Sequence, residues 1–391
     1  MLKTLRLAKF RFTVCARGQI RFPAYKGSAF RGGFGYAFKR VVCVIKGKTC
    51  DDCLLKQKCI YSYIFETPPP EDAEILRLYP KVPHPFVIEP PVTQKQSFAP
   101  DEIFTFHLIL IGQAIDYLPY FIYTFTELGK QGIGQGRGKY DVLQVEGIGF
   151  DDEIVPVYSN KDQKLASHYP IIQPQQMNAR LPEAFCEVTN PGSRGEDQLS
   201  TTFQEKQQSH PICRGENQSN PFHQAGNWSN PPYHSAEFTT NPERTKGDVE
   251  GASRENNHNS KITISILTPL RLRFDGHITD KIEFHILIRN LLRRISSLSY
   301  FHCNEKLEMD FKGLIEKAKE IRQTATDITW FDWKRYSTRQ EEWMSLGGVT
   351  GTVSYEGKVA EFLPFLRLGE YVHVGKGTSF GLGKYEILKE M

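Results

Sequence analysis

The first fifty residues contain no aspartate and no glutamate. They carry twelve Lys or Arg instead (Lys3, Arg6, Lys9, Arg11, Arg17, Arg21, Lys26, Arg31, Lys39, Arg40, Lys46 and Lys48). A stretch with no acid of its own to neutralise it reads as a concentrated anion-binding surface. The chain also lacks the run of about eighteen apolar residues that a membrane-spanning helix needs. Its start lacks the uncharged hydrophobic stretch of a secretory signal. We therefore expect a soluble, cytoplasmic protein with no membrane partner. Neither a Walker phosphate loop nor a dinucleotide fingerprint is present, because the required spacing and strand-first order are missing. Histidine is absent before His84.

What is there begins with aromatics interleaved among those cations: Phe10, Phe12, Phe22, Tyr25, Phe30, Phe34, Tyr36 and Phe38. The composition suits single-stranded nucleic acid as well as a core, and most of these rings read as core. Two distant stretches then end alike. Gly136-Arg137-Gly138-Lys139-Tyr140-Asp141-Val142-Leu143 and Gly381-Leu382-Gly383-Lys384-Tyr385-Glu386-Ile387-Leu388 share one pattern, each with a further glycine four residues upstream (Gly132, Gly377). Either these glycines serve only a turn, or they supply positive φ and bare backbone N–H groups for close approach to a phosphate. Two copies in register point to a duplicated unit.

Along the first unit, residues 3–14 alternate as a strand, with a shift at Ala8 and Lys9 that reads as a bulge. A helix follows on Phe30, Phe34, Ala37, Phe38 and Val41, with Ser28 as its cap and Arg31 and Lys39 on the exposed side about Gly35. Residues 83–91 are extended, and Phe104 to Ile111 is apolar on both faces, as in a central strand. A helix from Pro119 to Leu128, closed by Gly129, leads through the first glycine loop to a strand from Lys139 to Ile148. Strand, helix, strand, strand, helix, loop, strand is the ferredoxin-like order.

Four cysteines interrupt this unit, with Cys43 followed by Cys50-x-x-Cys53 and then Cys59. The crowding matches a tetrahedral structural zinc site. Buried free thiols and an iron–sulfur cluster are the other readings.

From about Cys186 to Ser260 the composition turns to Asn, Ser, Gln, Gly, Pro and His, with no periodic apolar face. It reads as a disordered insertion whose histidines (His210, His223, His234, His258) have no specific role. The second unit opens with Ile262, Ile264 and Ile266. A helical stripe follows (Phe284, Leu287, Ile288, Leu291, Leu292, Ile295, Leu298), with Arg289, Arg293 and Arg294 off it. Ile328 to Arg339 and Val349 to Tyr355 read as a strand pair. Val359 to Leu368, ended by Gly369, is the last helix before the second glycine loop. The expected organisation is thus α+β, two tandem ferredoxin-like domains over 1–185 and 261–391, with the insertion at 186–260.

Tandem units of this kind resemble the RAMP superfamily of CRISPR-associated proteins, and within it the pre-crRNA-processing endoribonuclease, the sixth Cas protein family. The resemblance rests on Gly27 to Phe38, the cysteine cluster running into Tyr61, Ile111-Gly112 with Leu128-Gly129 and the loop to Tyr140, Arg335 to Gln340, and His373 to Tyr385. It implies cleavage of CRISPR repeat RNA to guide crRNAs with no catalytic metal. The 2′-hydroxyl beside the scissile phosphate would attack it, leaving a 2′,3′-cyclic phosphate and a 5′-hydroxyl. That chemistry needs a base, an acid and cations for the charge that builds on phosphorus.

Many members of the family place a catalytic histidine near the first helix, where this chain has none. The best-placed imidazole is His373, before the second glycine loop; Tyr36 and Lys376 complete the candidate catalytic set. Arg31, Lys39, Arg40, Arg137, Lys139, Arg335, Tyr336, Arg339, Gly375, Gly377, Thr378, Gly381, Gly383 and Lys384 are the expected RNA contacts. The alternative is a non-catalytic RAMP subunit that holds crRNA in a CRISPR effector complex.

Overall fold

Alternation of Phe10, Phe12 and Val14 puts one face of the first strand onto Phe30, Phe34 and Phe38 of the first helix, and each fully buried ring contributes about 1.5–3 kcal/mol. The computed structural model describes residues 3–45, 49–69, 82–178, 260–337 and 342–388, with 178, 334–337 and 342–345 described by backbone alone. The N-terminal half runs β1 (Leu7–Ala16), β2 (Ile20–Arg21), α1 (Gly27–Val42), β3 (Phe86–Glu89), β4 (Ser97–Phe98), β5 (Ile103–Ile111), α2 (Leu118–Gln131), β6 (Tyr140–Ile148), β7 (Ile154–Ser159) and α3 (Pro174–Asn178). The C-terminal half runs β8 (Ser260–Leu270), β9 (Leu272–Phe274), β10 (His277–Thr279), α4 (Phe284–Cys303), α5 (Phe311–Lys319), β11 (Arg322–Ser337), β12 (Glu342–Gly357), α6 (Leu363–Val372) and β13 (Tyr385–Leu388).

Both halves build antiparallel sheets of one plan. The first is ordered β3-β5-β1-β6-β7 and the second β11-β12-β8-β13. β1 lies between β5 and β6 as β8 lies between β12 and β13, β3 and β11 take the edges beyond β5 and β12, and β7 extends the first sheet past β6. The two-stranded ribbons β2-β4 and β9-β10 are additions.

The bulge expected at Ala8 and Lys9 is not there. β1 pairs with β5 without a break from Leu7↔Ile111 to Cys15↔Ile103. The successive apolar residues mark a strand end buried on both faces: Ala8 joins the first core, while Leu5, Leu7, Ile109 and Ile111 join a second core made mainly by the C-terminal half. The irregularity lies further on, between Thr13 and Val14 in the pairing with β6.

Helix ends also differ from the sequence reading. Ser28 lies inside the first turn of α1, Lys26 takes the cap position, and the Ser28 hydroxyl donates to Tyr25 O at 3.5 Å. α2 ends at Gln131 with Gly132 at φ +87° beyond it, and α6 ends at Val372 with His373 beyond it. Gly129 and Gly369 serve another purpose. A Cβ on Gly129 would stand 2.3 Å from Tyr140 O, and one on Gly369 2.0 Å from the Tyr385 hydroxyl. The two buried tyrosines of the repeated motif cross these gaps, Tyr140 Oη donating to Phe125 O at 2.9 Å and Tyr385 Oη to Leu366 O at 2.5 Å. Arg294, expected off the buried stripe, is itself buried, with Nε donating to Val372 O at 2.6 Å.

The two halves belong to one compact unit. The polar stretch expected as an insertion lies, up to residue 259, outside the described residues, as does Arg339. No described helix is long and apolar enough to cross a membrane.

Candidate active site

The start of α1 meets the second glycine loop. A Cβ on Gly27 would come within 2.0 Å of Phe380 O, and the Tyr25 hydroxyl donates to the same carbonyl at 2.7 Å. Only glycine lets the helix come this close to the turn Thr378–Phe380. The β11–β12 hairpin reaches the same place: the Trp333 ring lies 4.8 Å from that of Tyr25, and Phe331, Leu346, Phe380 and Leu382 pack with them. Arg335 and Tyr336 follow on β11, paired through the backbone with Met344 and Trp343.

Arg31 is held at this junction. Its guanidinium lies 4.5 Å from the centre of the Phe65 ring and 5.3 Å from that of Phe380, a cation stacked between the two halves. Nη2 stands 3.3 Å from His84 Nε2. A guanidinium can only donate, so Nε2 accepts and the His84 proton sits on Nδ1. That nitrogen faces Thr67 Oγ1 at 3.4 Å, and the Thr67 hydroxyl donates onward to Val82 O at 3.0 Å. The imidazole is thus held between Thr67 and Arg31, with Nε2 turned toward the basic helix. Sequence reasoning passed over His84 because 53 positions separate it from Arg31; the one signal was a histidine between two prolines in an extended segment.

Tyr36 and Arg40 lie on the open side of α1. Tyr36 is 67% exposed, and the Arg40 guanidinium is 5.9 Å from its ring centre. Lys39 Nζ sits 5.4 Å over Tyr61. On the first glycine loop Arg137 and Lys139 are exposed, while Gly138 is pressed against Gln19 O. Lys376 is exposed as well. Its ammonium is held below the ordinary lysine range by the crowding around it and then by Arg293 and Arg273, which groups it with α4 and β9.

Three expected site residues stand elsewhere than foreseen. His373 is fully buried, at φ +60°, a region costly for a residue with a side chain. Its Nδ1 donates to Leu382 O at 3.1 Å and its Nε2 faces Glu89 Oε1 at 2.9 Å. An imidazole closed off in this way has no path to a solvent-borne phosphate. Lys384 Nζ is tied to Glu89 Oε2 at 3.2 Å, so this lysine answers an internal carboxylate. Thr378 is buried too.

Glu89, on β3, gathers these groups. Burial would raise its pKa, but His373, Lys384 and Lys9 outweigh that and hold the carboxyl far below the ordinary range. His373 is pushed down by burial, with Glu89 opposing. His107, 3.6 Å from Glu89 Oε2, is lowered by burial to about 4.

The bare faces of the loop glycines are taken up by protein backbone. A Cβ would stand 2.5 Å from Arg271 O at Gly375, 2.7 Å from Ile88 O at Gly381 and 1.9 Å from Val374 O at Gly383. At Gly377 it would meet the Leu382 side chain at 2.7 Å. Loop N–H groups are also used internally, Lys376 N donating to Arg271 O and Gly383 N to Pro269 O. The glycines therefore seat the loop on β8, β9 and β3.

Cys43, Cys50, Cys53 and Cys59 line one small cavity. Among the described residues no three His, Cys, Asp or Glu side chains already stand where they could hold a metal ion.

Residues 264–385 match the family model of the CRISPR-associated endoribonuclease Cas6, and residues 5–170 match a model described as an N-terminal domain. A protein of Archaeoglobus fulgidus recorded as uncharacterized is 28% identical over 127 residues, 32% of this chain and 42% of that one. The chain thus spans about two fifths of that relative's length. Among solved structures, a chain of a partial Cas6-RT-Cas1–Cas2 complex is similar at a TM-score of 0.52 and 12% identity, over 100% of this chain and 47% of that one. A chain of a Cas6-RT-Cas1–Cas2 complex gives the same TM-score and identity over 29% of its own length. The Cas6 model thus matches a C-terminal stretch of about a third of the chain, and the fold as a whole is similar to that of chains in Cas6-containing complexes.

Proposed function

We propose that this chain, built as two tandem ferredoxin-like units, is a metal-independent endoribonuclease that cuts CRISPR repeat RNA to guide crRNAs. The observation that carries the reading is His84, its Nε2 3.3 Å from Arg31 Nη2, beside a helix that lies within the acid-free first fifty residues of the chain. A phosphate drawn to Arg31 competes for the guanidinium and frees Nε2. That nitrogen then takes the proton of the 2′-hydroxyl, the oxygen attacks phosphorus, and the bond to the 5′ oxygen breaks. Arg31 offsets the charge that builds on the phosphoryl oxygens. Tyr36, exposed on the same helix, supplies the proton that the leaving oxygen needs. The products are a 2′,3′-cyclic phosphate and a 5′-hydroxyl.

In this reading Lys39, Arg40, Arg137, Lys139 and Lys376 hold the RNA backbone, together with Arg335 and Tyr336 of β11 and with Arg339. His373 and Lys384 position the second loop through Glu89. The second reading, a crRNA-holding subunit, draws on one observation: Arg31 is braced by two rings, as a fixed phosphate contact would be. Solved neighbours of similar fold sit in complexes with Cas1 and Cas2, and we propose CRISPR-associated proteins as partners under either reading.

His84→Ala separates the two. The enzyme should lose cleavage by about 10²–10⁴-fold, the range for a general base, while keeping its affinity for repeat RNA. Unchanged cleavage removes His84 from the mechanism, and a wild-type protein that binds but never cuts leaves the crRNA-holding reading.

A further inference from the structure

We propose that Cys43, Cys50, Cys53 and Cys59 hold one zinc ion that clamps the end of α1 to the segment carrying Phe65. All four thiols line the same cavity, with Lys56, Tyr61 and Ser62. Its volume of about 20 Å³ admits about one water-sized sphere. That is the room a single ion needs.

The second observation is what the loop lacks. From Thr49 to Cys59 every residue is exposed except Cys50, Cys53, Lys56 and Cys59. Leu54, though apolar, is 90% exposed. The segment is nonetheless folded into successive turns, Lys56 N donating to Cys53 O and Lys58 N to Leu55 O, each at 3.0 Å. A folded loop with no apolar core needs another source of order, and its inward residues are three thiols and a lysine. Ordered small segments of this kind take their stability from metal ligation.

The donor chemistry chooses the ion. Four sulfurs select zinc over magnesium, calcium or manganese, which prefer oxygen, and four thiolates close a tetrahedron with no open position, as structural zinc requires. Four thiolates around Zn²⁺ leave two net negative charges. Lys56 lines the cavity, and Lys39 lies one turn before Cys43, whose N–H donates to Lys39 O at 3.0 Å.

Both ends of the clamp matter to the cluster at Arg31. Cys43 is the first residue after α1. Cys59 O accepts from Tyr63 N at 2.9 Å, at the entry to the helical turn Ser62–Glu66 that presents Phe65 to Arg31. Zinc at this point is structural and takes no part in the chemistry proposed above.

The test is metal content, which does not depend on the proposed nuclease activity. The full chain is purified without added chelator, and zinc and iron are measured by mass spectrometry alongside titration of accessible thiols. We expect about one zinc per chain, released in step with modification of four thiols. The Cys50→Ser/Cys53→Ser pair should fall to background zinc, while Cys303→Ser should keep the wild-type content. Should the double variant fail to fold, stepwise release from the wild-type protein by an organomercurial, read with a zinc dye, still decides. The proposal is overturned by a chain that contains no zinc and takes up none when zinc is added under reducing conditions. Iron with inorganic sulfide in place of zinc would overturn it too, as would zinc that persists after all four cysteines are replaced.

Discussion

His302 joins the C-terminal half to the segment that carries His84, and its replacement by phenylalanine has a calculable cost. The ring is buried on α4. Nε2 donates to Pro83 O at 2.8 Å, and Nδ1 accepts from the Tyr63 hydroxyl at 3.1 Å. His302→Phe keeps the ring but strips the partners from a carbonyl and a hydroxyl. At about 1–3 kcal/mol for each polar group left unsatisfied, the variant should lose about 2–6 kcal/mol of stability at pH 7.

Acid gives the same residue a second signature. Burial lowers its pKa to about 4, with the Pro83 carbonyl opposing and Arg294 adding to the effect. The unfolded value is about 6.5. A folded pKa below the unfolded one means that the unfolded chain binds more protons as pH falls, so this stabilisation is present above about pH 6.5 and lost toward pH 4. Between pH 7 and pH 5 it amounts to about 2 kcal/mol. Urea unfolding at the two pH values measures both effects. The wild type should lose about 2 kcal/mol more than His302→Phe on going to pH 5, because the variant has no such group to protonate. A variant within about 0.5 kcal/mol of wild type at pH 7, the range of a surface change, would refute the reasoning, as would parallel losses with acid.

Gly27→Ala drives a Cβ to within 2.0 Å of Phe380 O; it should cost about 2–4 kcal/mol in thermal or urea unfolding and lower cleavage by parting α1 from the second loop. Glu89→Gln leaves Lys384, 13% exposed at its side chain, without its carboxylate, and a loss of about 3 kcal/mol is expected by denaturant titration. Because the Glu89 carboxyl is depressed, its own contribution persists above about pH 4.3 and fades as pH falls below that. Arg137→Ala with Lys139→Ala should weaken repeat-RNA binding and flatten the dependence of log affinity on log salt by about 0.7 per lost phosphate contact, read by filter binding at several salt concentrations.

The order of elements was legible because each rests on local periodicity. Phe104 to Ile111 is apolar on both faces, and β5 does lie between β1 and β3 with a core on each side. The repeated Lys-Tyr pattern opens β6 and β13, each paired with the first strand of its half, and the two tyrosines hydrogen-bond to equivalent helices. Where the sequence misled, the cause was distant in the chain. Gly129 and Gly369 look like helix stops, yet their gaps are filled from later strands. His373 looks like a free imidazole beside a loop because the carboxylate that closes it off, Glu89, is 284 positions away. Arg31 and His84 meet only through the fold. The cysteines crowd within seventeen residues, and all four line one cavity.

The central claim is that this chain cuts RNA through the 2′-hydroxyl at the Arg31–His84 cluster. The measurement that tests it most directly is incubation of the purified protein with end-labelled CRISPR repeat RNA in EDTA, with the product ends mapped. The account predicts a single cut leaving a 2′,3′-cyclic phosphate and a 5′-hydroxyl, abolished when the nucleotide before the cut carries 2′-deoxyribose. Tight, salt-sensitive binding with no cut, or a product bearing a 5′-phosphate, would contradict it.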